Sequence, residues 1–356
     1  MSKPESEKPF AEKITFGFLT TSLVLASIYF FVNLLLIFQF ILIPTNIFGM
    51  IRYLYICNFV IIPCLGLVYS VYNLIFQKNR RPGITVLLFS ILFLCVFCYA
   101  TLIEPRSLKI EEYAIQTDKI EGQIVVAHIS DFQSARVGSY EAGVIDKLIE
   151  LDPDIILHTG DLVQPYDNDD RQNELEKLSR LFVKLKPKYG IYNVVGNIDG
   201  SMDLTDFDLI SGSKTLISEN IEISDKGIEL DILGLTFEQS INGDRFAITN
   251  WINKSSKKFT ILLGHAPDYV LDVRDKNIDL CLAGHTHGGQ VRLPFIGAVL
   301  NASKTPKSWA RGFREIDSLR LNVSAGIGSE RHSKLPAIRF NCPPSISIIK
   351  INGQDN

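Results

Sequence analysis

The stretch Ile278-Asp279-Leu280-Cys281-Leu282-Ala283-Gly284-His285-Thr286-His287-Gly288-Gly289-Gln290 passes from an apolar run straight into a polar one. A short apolar run of this kind reads as a buried strand. Gly284 then permits a sharp turn and a close backbone approach. His285 and His287 are alternate residues, so their imidazoles meet only under a specific backbone geometry. Working outward, four more motifs follow apolar runs in the same way: Ser130-Asp131-Phe132-Gln133, Gly160-Asp161, Gly196-Asn197-Ile198-Asp199 and Gly264-His265. In α/β sheets the strand ends open onto the crevice where ligands bind. A strand end is also rigid enough to hold a donor to the tolerance a metal needs. One Gly-Asp or Gly-His after a strand is ordinarily a turn. Five together supply carboxylate, amide and imidazole donors, a mixture suited to Mn, Fe or Zn rather than Ca or a structural Zn.

The runs Gln123–Ile129, Ile155–Leu157, Ile191–Val195, Ile228–Leu233, Phe259–Leu263, Ile278–Ala283, Arg320–Ser324 and Ile346–Ile351 predict strands. Tyr140–Glu150 and Arg171–Lys186 predict helices. In the second, Leu175, Leu178, Leu181, Phe182 and Leu185 fall at helical spacing. Strands alternating with helices early, and denser strands later, imply a layered α/β domain with a sheet-on-sheet core.

The chain has 356 residues, and its first hundred are far more apolar than the rest. No Asp, Glu, Lys, Arg or His occurs in Thr15–Ile51, in Tyr53–Phe76 or in Ile84–Ile103. A membrane-crossing helix needs about 20 apolar residues, so these runs predict about three transmembrane helices. Pro44 and Asn46 mark the end of the first. A core helix of a soluble protein would show a polar face at every turn, and a cleaved signal peptide would be shorter and single. The expected division is therefore a transmembrane region over 1–104 and a globular domain over 105–356. Lys78, Arg80 and Arg81 lie in the short loop before the last run, and such loops stay cytoplasmic. One span later, the globular domain is expected outside the cytoplasmic membrane.

Cys95 and Cys98 form a C-x-x-C string inside an apolar run and read as membrane-helix residues rather than ligands. The net charge of −3 gives no electrostatic case for nucleic acid. Asp167, Asn168, Asp169 and Asp170 read as a solvated loop. His128 and His158 lie inside strands and are expected in the core or supporting the site from behind. His332 is expected at the surface, with Arg331 beside it a candidate contact for an anionic substrate.

The five motifs taken in order resemble the calcineurin-like metallophosphoesterase superfamily, whose pattern is D-x-H, G-D, G-N-H-D/E, G-H and G-H-x-H. Gly284–Gln290, Ser324-Ala325-Gly326-Ile327-Gly328 and Ile338-Arg339-Phe340-Asn341-Cys342-Pro343-Pro344 resemble its membrane-anchored bacterial branch. The resemblance spans roughly residues 120–351. It implies a four-layer αββα sandwich behind the transmembrane helices, and two divalent metal ions, manganese first with iron, zinc or magnesium open. It implies that Asp161 bridges both metals, that Asp131 and His287 bind one, and that Asn197, His265 and His285 bind the other. Asp161, Asn197 and Asp199 are the implied catalytic residues. The implied reaction is hydrolysis of a phosphodiester or phosphoanhydride by a metal-activated hydroxide. The substrate is then a phosphate ester, open to a lipid part, met beside membrane lipids.

Two positions depart from the pattern. Gln133 replaces the first-motif histidine; its oxygen can ligate, though less well than imidazole for Zn-like ions. Ile198 replaces the histidine that contacts substrate or protonates the leaving group, and it can do neither. These departures keep a second reading open, that of a silent membrane protein whose domain binds a ligand or partner. Against it, the other metal positions persist, and a buried cluster of charges and imidazoles with no ion is costly.

Overall fold

A computed structural model describes residues 33–34, 47–255, 257–317, 319–331 and 336–353. The first expected span lies almost wholly outside them, as does His332. The chain forms two units, residues 1–99 and 100–356.

In the first unit α1 (Ile47–Ile56) continues through a π-helical turn, Cys57–Ile61, into α2 (Ile62–Phe76). The basic loop follows, then α3 (Arg81–Cys98). Two helical stretches, Arg52–Phe76 and Arg81–Arg106, are long and apolar enough to cross a membrane. Small residues let α2 and α3 approach closely: a Cβ added at Gly66 would lie 2.4 Å from Ser90 Oγ. Gly83 N–H also donates to Asn73 Oδ1 at 3.1 Å. The outward side chains, Leu65, Val68, Phe76, Leu88 and Phe89 among them, are apolar and exposed. Cys95 and Cys98 are free and exposed, with no metal-binding group around them among the described residues.

The second unit begins with β1 (Lys109–Gln116), β2 (Gln123–Ile129) and α4 (Ser139–Leu151), followed by β3 (Ile155–His158), α5 (Arg171–Phe182) and β4 (Ile191–Asn193). Next come α6 (Thr205–Ser211), β5 (Lys214–Thr215), β6 (Glu219–Asp225) and β7 (Ile228–Gly234). Then follow α7 (Phe237–Asn242), α8 (Arg245–Ser255), β8 (Phe259–Leu263), α9 (Val270–Val273) and β9 (Leu280–Ala283). The chain ends with β10 (Arg292–Leu293), β11 (Gly297–Ala298), β12 (Gly312–Ile316), β13 (Leu319–Val323) and β14 (Ser345–Asn352).

Two six-stranded sheets result, ordered β1-β14-β2-β3-β4-β5 and β12-β13-β9-β8-β7-β6. Side chains alternate across each strand with a period of two, and this builds three apolar layers. Val126, Leu157, Ile232, Ile261, Leu282 and Ile349 pack between the sheets. From the opposite face of the first sheet, Ala127, Ile129, Ile156 and Ile348 meet Val144, Leu148, Leu175 and Phe182 of α4 and α5. From the opposite face of the second, Leu262, Cys281 and Val323 meet Ile248, Ile252 and Val273 of α8 and α9. The architecture is thus the expected four-layer αββα sandwich. Fully burying one such side chain contributes about 1.5–3 kcal/mol. Phe182, fully buried between Phe132 and Phe207, is a site where truncation to Ala would cost about 3–5 kcal/mol.

The two compact units meet in sequence at residue 99/100. Ala100 O accepts the N–H of Arg339. Glu104 is buried and accepts the N–H groups of Asn341 and Cys342. The last few residues of the apolar run therefore belong to the globular unit.

Candidate metal centre

The five motifs lie directly after β2, β3, β4, β8 and β9, and their backbones cross closely. Gly160 O accepts from Asp131 N at 2.9 Å, and His265 O accepts from Gly284 N at 2.8 Å. Gly284 is required: a Cβ there would lie 1.9 Å from Ser130 Oγ and 2.4 Å from Asp131 Oδ2. Asp131, Gln133, Asp161, His285 and His287 all have positive φ, between 37° and 66°. L-residues adopt that conformation at a cost of order 1–2 kcal/mol, and such strain concentrates at functional sites. Here it turns five polar side chains off their strand ends toward one place.

Asp131, Asp161 and His265 bring one ligand atom each to within 4.8 Å of one another. His265 Nε2 lies 3.3 Å from Asp161 Oδ2 and 3.2 Å from His285 Nδ1. Asn197 Oδ1 lies 3.1 Å from that His265 nitrogen and 2.9 Å from that of His285. His265 Nδ1 donates to Thr159 O at 2.6 Å, which turns the other nitrogen's lone pair toward the cluster. His287 Nε2 is 3.5 Å from Asp131 Oδ1. His287 is buried, and neither of its ring nitrogens has a hydrogen-bond partner.

This donor set fits metal ions. Ligands held about 2.1 Å from a shared ion stand roughly 3.0–3.4 Å from one another, which is the spacing of the Asn197, His265 and His285 atoms. An orphaned buried imidazole beside a carboxylate has the same explanation. The electrostatics agree. Burial pushes Asp131 up to about 7, against the pull of His265 and with the charge of Asp161 adding to the rise. Burial also opposes ionisation of Asp161, but His265 holds it below the usual carboxylate range. His265 rises to about 10, burial opposing and Asp161 prevailing. Burial depresses His285 to about 4, helped by His265. Burial also depresses His287 well below its ordinary value, with Arg339 adding to the effect. His285 and His287 are thus held neutral, as metal ligands must be, while His265 carries the charge that faces Asp161.

The remaining predicted residues are placed as follows. Gln133 is buried; its Nε2 donates to Asp161 Oδ2 at 2.8 Å and to Glu330 Oε2 at 3.1 Å. Its Oε1 has no hydrogen-bond partner. Asp199 is buried, and its carboxylate accepts the N–H groups of Asp161, Leu162 and Gly196. Burial and the charge of Asp161 raise it to about 6. It therefore ties together the turns after β3 and β4 instead of opening onto the crevice. Ile198 N donates to Asp161 Oδ1 at 2.8 Å. His128 bonds Thr159 and Asn322 in the core, and His158 packs between Phe132 and Phe182. Arg331 donates to Gln133 O and Gln164 O.

Two further residues carry no sequence signal of their role. Glu330 meets the site through Gln133. Arg339 is fully buried, and its guanidinium donates to Ala325 O, Gly328 O and Cys342 O. It fixes the loop whose Gly326 lies against Asp131 and His287.

Residues 124–289 match the family described as calcineurin-like phosphoesterase. Over 267 residues the chain is 29% identical to the uncharacterized metallophosphoesterase YkuE of Bacillus subtilis, covering 71% of this chain and 88% of YkuE. An uncharacterized metallophosphoesterase of Aquifex aeolicus is 29% identical over 266 residues, 71% of this chain and 95% of its own length. The phosphodiesterase YaeI of Escherichia coli is 33% identical over 91 residues, 26% of this chain and 32% of YaeI.

Proposed function

We propose that this chain, whose residues 124–289 match the calcineurin-like phosphoesterases, is a membrane-anchored phosphohydrolase that cleaves a phosphodiester or phosphoanhydride. The observation that carries this reading is the meeting of Asn197 Oδ1, His265 Nε2 and His285 Nδ1 within 3.2 Å beside Asp161. These residues would hold one divalent ion, with Asp161 shared. Asp131 and His287 would hold the other, with Gln133 beside them. When bound, the pair supplies Lewis acidity for phosphoryl transfer. The first site is rich in oxygen donors, which favours Mn or Mg over Zn.

The chain's own residues orient and hold. Thr159 O fixes the His265 tautomer, Asp199 fixes the two turns, and Ile198 N–H orients Asp161. Asn197 is exposed and its amide can meet a phosphoryl group. The Ile198 side chain can give no proton to the departing oxygen. Loss of such an acid typically costs about 10²–10⁴ in rate, so substrates with good leaving groups suit this chain best.

The two apolar helices and the uncharged run before them support a multi-pass anchor in the cytoplasmic membrane. Lys78, Arg80 and Arg81 support a cytoplasmic loop, with the globular unit outside. Digestion of the globular unit by protease added to intact spheroplasts is expected; full protection would reverse the orientation.

The test of function is hydrolysis of bis-p-nitrophenyl phosphate by the full chain in detergent with Mn. Activity is expected to vanish on chelation and return with Mn. Bound metal with no hydrolysis of diester or anhydride would favour the silent binding protein instead.

A further inference from the structure

Leu293-Pro294-Phe295-Ile296 form the tip of the β10–β11 ribbon, and all four are exposed. Phe295 is wholly exposed, and Ile296 is 70% exposed. An unbroken apolar run at a surface marks an interaction site.

The ribbon's root indicates what covers the tip. Arg292 N–H donates to Phe340 O, and Phe340 N–H donates to Gln290 O, both at 2.9 Å. The next two residues, Asn341 and Cys342, donate their N–H groups to the Glu104 carboxylate. Glu104 is buried, whereas Leu102 and Ile103 just before it are 65% and 56% exposed. Within the globular unit, Glu104 is thus where exposed apolar chain gives way to buried chain. The ribbon's root is therefore linked to that point through the short segment Phe340–Cys342.

Charge points the same way. Residues 280–314 contain Arg292, Lys304, Lys307, Arg311 and Arg314 and no Asp or Glu. Arg311 is paired with Glu111. Arg292, Lys304 and Lys307 donate to the backbone carbonyls of Gly288, Ile241 and Val299. Basic residues around an apolar tip suit an anionic lipid surface.

We propose that the Leu293–Ile296 tip inserts into the headgroup region of an anionic bilayer, and that the metal centre accordingly takes a phosphate ester carried on a lipid. The ribbon follows His287 directly in sequence, so a tip seated in headgroups brings the centre to the surface where such phosphates lie. The substrate half rests on the phosphohydrolase reading; the insertion half does not.

The test places the full chain with Phe295→Trp in nanodiscs containing brominated acyl chains, and subtracts the parent signal of Trp251 and Trp309. The new tryptophan is expected to be quenched at least twofold by brominated lipid and little by aqueous acrylamide. Leu209→Trp, at an exposed position on α6, is expected to behave the opposite way. Quenching of position 295 by acrylamide alone overturns insertion. Quenching by neither agent means that protein covers the tip, and overturns it equally. For the substrate, a p-nitrophenyl phosphodiester of a long-chain alcohol in the same nanodiscs is expected to show kcat/KM at least tenfold above bis-p-nitrophenyl phosphate. Equal values overturn the lipid assignment. Hydrolysis of neither overturns the phosphohydrolase reading and the lipid assignment with it, while the quenching still decides insertion.

Discussion

His265 Nε2 and His285 Nδ1 face each other at 3.2 Å, and Asn197 Oδ1 lies within 3.1 Å of both. Three metal-donor atoms at these separations have the spacing of ligands that share one ion. Asn197 is exposed, so its removal should spare the fold. In Asn197→Ala, bound metal is expected to fall from about two ions per chain to about one after dialysis. The melting temperature of the metal-free protein should not change. Two ions retained would show that this amide is not a ligand.

Gln133 donates its amide nitrogen to Asp161 and Glu330, and so is placed as a bridge between carboxylates. An imidazole there would add a stronger donor to the first site. Gln133→His is expected to slow Zn or Mn loss to a chelator by roughly tenfold, in the range that metal-site substitutions reach. An unchanged loss rate would mean that position 133 does not face the ion.

Asp199 accepts three backbone N–H groups while almost wholly buried. An amide cannot accept all three, and a buried unpaired donor costs about 1–3 kcal/mol. Asp199→Asn should therefore destabilise the metal-free chain by about 2–4 kcal/mol in urea. A purely chemical role would instead leave the urea midpoint unmoved and lower only the rate.

His128 and His158 give the fold an acid sensitivity. Burial holds both near 3, with the charge of His158 adding at His128 and that of His265 at His158. Once unfolded, each takes a proton near its ordinary value of about 6.5. Above that pH both states are neutral and there is no penalty. Below it the unfolded state binds more protons, so stability falls as pH drops from about 6.5 toward 3. Each histidine contributes a slope of up to about 1.4 kcal/mol per pH unit. His128→Gln is expected to reduce that slope by about one histidine's share; an unaltered slope would contradict the assignment.

The strand ends were legible because β2, β8 and β9 are short apolar runs that stop at a glycine or serine, and β3 is one that runs into His158-Thr159-Gly160. Period-two burial then set both sheets and all four layers. β1 was not legible: Lys109–Gln116 is half polar, and its pairing with β14 is made some 240 residues away. The helix expected over Arg171–Lys186 stops at Phe182, short of Pro187, which no longer allows a helical turn. In the centre, the motifs pointed to Asp131, Asp161, Asn197, His265 and His285, whose side chains the fold brings close together. The supporting contacts of Arg339, Glu330 and Thr159 O were not legible, because each depends on a loop meeting another across the fold. Asp199 shows the same limit: its motif suggests chemistry, whereas its carboxylate is taken up by backbone.

The most direct test is metal content in the purified full chain, compared with Asp161→Ala. Asp161 lies 3.3 Å from His265 and is bonded by Gln133 and Ile198 N–H, so it stands where both donor groups converge. The parent chain is expected to carry about two divalent ions and the variant fewer than one, with all Mn-dependent hydrolysis lost. Less than one ion in the parent, or equal occupancy in both proteins, would contradict a two-metal centre.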